Sequence, residues 1–202
     1  MKGFALIREP GSEPLWMSLE SNAQGAFRFS TFSGQIETFA ILEQEVGESA
    51  LAKAHSILQG ADWPAVDLAS SHDFDSYVAL IESARRACEE GALEKVVLSR
   101  CHAYPQVDLD LMETYNRLCA HYPRATVYMI YRQGQSLWMG ATPECLVETQ
   151  GHVVRTMSLA GTRVADSEGS WGAKEREEQH VVTRDIIHML QVMGCKNLTI
   201  EG

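Results

Sequence analysis

Thr126-Val-Tyr-Met-Ile-Tyr131 and Leu137-Trp-Met-Gly140, joined across Gln133-Gly134-Gln135, decide the fold of this 202-residue chain. Runs rich in β-branched and aromatic residues on either side of a short glycine-centred connection predict antiparallel neighbours, because parallel strands need a crossover of about a dozen residues or more. Two further runs repeat the pattern, Cys145 to Thr149 and His152 to Met157, turned by Gln150-Gly151. The middle of the chain therefore reads as antiparallel sheet.

Working back from it, Leu111 to His121 predicts a helix, opened by Asp110 with Glu113 following and closed ahead of Pro123. Lys95-Val-Val-Leu-Ser-Arg100 reads as a short strand, Lys95 at its start. Before it, Tyr77, Leu80, Ile81, Ala84 and Cys88 recur at helical spacing from Asp75 onward, with Gly91 as the stop. Trp63 to Asp73, holding Pro64 and Ser-Ser-His-Asp, reads as a connector, so the chain is expected to divide into 1–70 and 71–202. In the first part Gly3 to Arg8 and Gly25 to Ser33 predict strands, and Glu43 to Gln59 a helix stopped by Gly60. Toward the other end, Ala173 to Met193 predicts a helix with Val182, Ile186, Met189 and Met193 on a buried stripe, and Asn197 to Ile200 starts another strand. The fold class is α+β: antiparallel sheet with outer helices.

A formal net charge of −10 argues against a phosphate backbone as main partner, and no apolar run approaches a membrane span. Cys88, Cys101, Cys119, Cys145 and Cys195 are scattered, without a Cys-x-x-Cys pair; this fits free thiols in a reducing cytoplasm and argues against a zinc site.

Four stretches could carry chemistry, and each has a plain structural reading beside it. In Trp171-Gly-Ala-Lys-Glu-Arg-Glu-Glu-Gln-His180, Glu175 and Glu178 share one helix face, suited to a hard cation or simply to a solvated first turn favoured by the helix dipole. Lys95 either lays its stem along apolar surface or, partly desolvated, works as a base. Gly140-Ala-Thr-Pro-Glu144 is a surface turn, or holds a carboxyl that donates a proton. Met157-Ser-Leu-Ala-Gly-Thr-Arg163 is a strand end broken by Gly161, or a loop whose backbone N–H groups and Thr162 hydroxyl receive a carboxylate.

Taken in order, Lys95-Val-Val-Leu-Ser-Arg100, Gly140-Ala-Thr-Pro-Glu144, Leu159-Ala-Gly-Thr-Arg163 and Ala173-Lys-Glu-Arg-Glu-Glu178 resemble the chorismate-utilising enzymes, over about residues 72 to 202. That family includes isochorismate synthase, salicylate synthase, anthranilate synthase component one and aminodeoxychorismate synthase component one. The resemblance is nearest to isochorismate synthase: Ala160 stands where aminodeoxychorismate synthases carry a nucleophilic lysine, and Lys95 has no task in an enzyme that adds ammonia. Salicylate synthase shares Lys95, Glu144 and Glu178.

The resemblance implies that Lys95 activates the water attacking C2 of chorismate and that Glu144 protonates the departing C4 hydroxyl. It also implies that Glu178 is a Mg²⁺ ligand with Glu175 as a partner just outside its ligands or through water, and that Ala160, Gly161 and Thr162 form the loop that receives substrate. The expected architecture is part of the family's layered sandwich, with 1–70 an amino-terminal segment and 71–202 the first half of the catalytic domain. The pattern's carboxy-terminal half has no counterpart here, so the chain alone is expected to be inactive unless a second chain completes the site.

Overall fold

The structure is a computed structural model that describes residues 2–30, 34–62, 73–104, 109–162 and 170–201. Two compact units emerge, Met1–Asp67 with Pro105–Glu144, and Leu68–Tyr104 with Cys145–Gly202. The boundary expected at residue 70 and most of the connector before it, residues 63–72, lie outside the described residues.

The first unit is built on β1 (Lys2–Arg8), β2 (Leu15–Ser21), β3 (Phe27–Ser30), β4 (Ile36–Val46), β5 (Thr126–Arg132) and β6 (Leu137–Thr142), with α1 (Glu48–Gln59) and α3 (Leu111–His121). These strands form one sheet in the order β3-β4-β2-β1-β5-β6, antiparallel at every pairing. The hairpin read from Thr126 to Gly140 is β5–β6, in the register Tyr128↔Gly140.

Alternation along the strands sorts two sets of side chains. Phe4, Leu6, Trp16, Val127, Met129 and Tyr131 meet Ala50 and Ala54 of α1 and Tyr115 of α3 on one face. Ala5, Met17, Leu19, Phe39 and Ile130 form the core of the other. That second face closes on itself because the sheet curls: Phe29 on edge strand β3 lies 6.0 Å, ring to ring, from Trp138 on the opposite edge, β6. Arg132 on β5 pairs with Glu37 on β4 across the same hollow and lies over the Phe29 ring. Gly140 is needed here, since a Cβ would stand 2.8 Å from the Tyr128 hydroxyl and 3.0 Å from its ring. Arg8 ties α3 to the sheet, its guanidinium donating to the carbonyls of Tyr122 and Pro123 at 2.9 Å, where the helix dipole favours positive charge.

Two strands escape the sequence reading. β2 buries Trp16 on one face and Met17 and Leu19 on the other, so it shows no clean alternation. β4 runs on to Val46 and takes the first residues of the helix expected from Glu43; α1 begins only at Glu48, after Gly47. Residues 44–46 look helical by composition, yet pairing with β2 at Leu15↔Val46 decides for strand.

The second unit holds α2 (Phe74–Glu89), β7 (Glu148–Gln150), β8 (Val153–Arg155) and α4 (Ala173–Val192). Asp73 caps α2, its carboxylate accepting from the Ser76 N–H at 2.7 Å. The expected hairpin of Cys145–Thr149 with His152–Met157 survives as the short β7–β8 pair. Neither Lys95–Arg100 nor Asn197–Ile200 forms a strand; the Lys95–Arg100 run finds no ladder partner among the described residues. The stripe expected on α4 is corrected too: Met189 is 52% and Met193 74% exposed, and α4 has no buried residue. Every buried apolar residue among those described belongs to the first unit. No helix is long and apolar enough to cross a membrane among the described residues.

Candidate active site

The second unit gathers the carboxylates of α4, the extended segment after α2 and the loop after β8. Lys95 does not reach for solvent. Its Nζ lies 3.3 Å from Glu178 Oε1, with the side chains 21% and 28% exposed. Lys174 stands 3.9 Å from the other Glu178 oxygen, so this carboxylate sits where positive charge collects. Next door, Glu94 pairs with Arg184, and two ion pairs thus lace residues 94–95 to the helix. Between Glu94–Val97 and the Val181–His188 flank of α4 runs an open groove of about 670 Å³, with Lys95, Arg184, Asp185 and His188 among its polar walls.

Glu175 occupies the first turn of α4. Its carboxylate bends back toward the helix start, since a Cβ on Gly172 would stand 2.4 Å from Glu175 Oε2. Gly161 adopts a φ of 79°, in the left-handed region that favours glycine. Its bare Cα faces Trp171 and the Glu175 stem, which a Cβ would meet at 3.5 Å. Ala160 is half-buried and Thr162 exposed; Arg163 lies outside the described residues.

The loop is fastened by a residue that sequence reasoning passed over. Gln179 Nε2 donates to the Ser158 carbonyl at 2.7 Å and to its hydroxyl at 2.9 Å, while Oε1 accepts from the Ala160 N–H at 2.8 Å. Thr183, one turn on, shares a 2.7 Å hydrogen bond with the Ser158 hydroxyl. The available signal was spacing: Glu175, Gln179 and Thr183 recur every four residues and so share a face.

In the second unit three contacts therefore line α4: Lys95 with Glu178, Gly161 against the Glu175 stem, and Ala160 with Gln179. Glu144 belongs to the first unit, exposed just beyond β6, its N–H donating to Thr142 Oγ1 at 3.2 Å. Among the described residues, no group of three or more His, Cys, Asp or Glu side chains is placed to hold a metal ion. Glu178 and Glu175 stand three residues apart on α4 and are the hard-oxygen type that Mg²⁺ takes together with waters and substrate oxygens, with Glu178 paired to Lys95 and the Glu175 carboxylate turned toward Gly172.

Residues 19–187 match the family of chorismate binding enzymes. The chain belongs to that family. Among its relatives, the isochorismate synthase MenF of Escherichia coli K12 is 32% identical over 136 residues, 59% of this chain and 30% of the relative. The salicylate biosynthesis isochorismate synthase of Pseudomonas aeruginosa is 28% identical over 128 residues, 58% of this chain and 27% of that protein. The matched stretch thus spans less than a third of either relative's length. No solved structure matches the chain.

Proposed function

We propose that this chorismate-binding chain carries part of an isochorismate synthase, which converts chorismate to isochorismate with Mg²⁺. The observation that supports the reading most is the meeting of Lys95 with Glu178 on the helix that also holds the 160–162 loop, in a chain with two relatives named isochorismate synthase. In its neutral form Lys95 takes the proton of the water that adds to C2. As that C–O bond forms, the ring double bonds shift and the bond from C4 to its hydroxyl breaks, the departing oxygen taking a proton from an acid, the role that the family resemblance implies for Glu144. One water is consumed and one released, so the reaction is an isomerisation. Gly161 and Thr162 receive the substrate, the Ala160 N–H being already engaged by Gln179. Mg²⁺ on Glu178, with Glu175 through water, would supply the positive charge that a dianionic substrate needs on a protein of net charge −10.

In this reading the sheet and helices are part of the family's layered sandwich, 71–202 is the first half of its catalytic domain, and the setting is cytoplasmic menaquinone or siderophore synthesis. A second reading is a chorismate-binding module without turnover, favoured by the engagement of the Lys95 ammonium in an ion pair.

Product analysis of chorismate incubated with Mg²⁺ separates these, using the chain alone and joined to the carboxy-terminal portion of the E. coli relative. Isochorismate supports the proposal, salicylate points to salicylate synthase, and binding without conversion supports the module. Lys95→Ala is expected to cut turnover at least about 100-fold with chorismate still bound, the usual weight of a general base. Unchanged isochorismate formation in that variant removes Lys95 from its role.

A further inference from the structure

We infer that Gln179 is a positioning residue, an amide clamp that sets the substrate loop against the helix bearing Glu178; this rests on the reading of residues 160–162 as that loop. A primary amide offers donors and an acceptor on one planar group. Gln179 uses them on the Ser158 carbonyl and the Ala160 N–H, groups two residues apart that an extended chain presents along one edge. The side chain therefore does for this segment what a neighbouring strand would do.

Thr183 braces the arrangement. Its hydroxyl donates to the Gln179 carbonyl at 2.9 Å or shares with the Ser158 hydroxyl at 2.7 Å, and Gln179 Nε2 lies 3.2 Å from it. Residue 160 is the last position held before the backbone turns through Gly161, so the clamp fixes the point from which Gly161 and Thr162 set out. Because Gln179 directly follows Glu178, the clamp ties the loop to the same turn of α4 that carries this carboxylate. None of these contacts needs Lys95, so the clamp governs how well substrate is held and leaves proton transfer to other groups.

The test compares wild type with Gln179→Met, which keeps the length and removes both bonds, and Gln179→Glu, which keeps only the acceptor for Ala160. Amide exchange at Ala160, read by NMR, should speed up at least about tenfold in Gln179→Met and less in Gln179→Glu, with α4 amides unchanged. The chorismate dissociation constant, or KM where turnover is seen, should rise about tenfold in Gln179→Met, the worth of one or two net hydrogen bonds, with kcat within about threefold. Unaltered exchange at Ala160 overturns the clamp. Faster exchange with unaltered chorismate affinity overturns its link to substrate. Wild-type protein that binds no chorismate overturns the parent reading and with it that link, while the exchange result still decides the clamp.

Discussion

Tyr115 is fully enclosed where α3 meets the sheet, and its Oη finds no hydrogen-bond partner among the described residues. Burial, and after it the neighbouring Cys119 thiol, pushes the phenol above its ordinary value of about 10. The folded protein therefore holds a proton that the unfolded chain releases near pH 10. The stability tied to this group is complete below about pH 10 and drains away as pH rises beyond it. The urea midpoint of the wild type is expected to stay level to about pH 9 and fall above 10, and Tyr115→Phe should blunt that fall. At neutral pH the same substitution should cost less than about 1 kcal/mol, since it deletes a hydroxyl that makes no bond. An equal alkaline loss in both proteins would assign the effect to other groups. Tyr115 shows what residue types reveal on their own: its helical position was legible, its enclosure was not, because burial depends on strands far away in sequence. Lys95 and Glu178 stood out by residue type and position in the sequence, but their contact joins positions that only the fold brings together.

Elements were read best where a cap and an apolar period agree. α3 spans Leu111–His121 as the sequence predicts, and the Asp110 carboxylate accepts from the Glu113 N–H at 2.9 Å. Asp110→Ala should lower stability by about 1 kcal/mol, seen as a lower urea midpoint at constant slope. A changed slope would mean that the substitution alters more than the cap. Elements were misread where a neighbour decides. Lys95–Arg100 has the composition of a strand, yet strands exist only as pairs, and among the described residues this segment meets side chains of helices, Lys95 pairing with Glu178 of α4 and Arg100 lying over the Tyr77 ring of α2. The helix expected from Glu43 lost its first residues to β4 for the converse reason, because β2 lies alongside.

For the molecule as a whole, the antiparallel character was evident from the hairpin connections, whereas the return of residues 105–144 to the amino-terminal strands was not. Short-range signals set turns; which distant strand completes a sheet depends on packing summed over many residues. The distribution of buried side chains has a measurable outcome. The first unit holds every buried apolar residue among those described, while α2 and α4 hold none. Amides of β1 and β5 should exchange orders of magnitude more slowly than those of α2 and α4, whose openings expose little further apolar surface. Comparable protection in both sets would show that the two helices draw stability from elsewhere.

Strands at a sheet's rim ordinarily invite other polypeptides to add on, a route to fibres and precipitates. In the first unit the rims carried by β3 and β6 turn toward each other, with Phe29 against Trp138, so each shields the other from passing chains. Curvature here doubles as protection against self-templated growth.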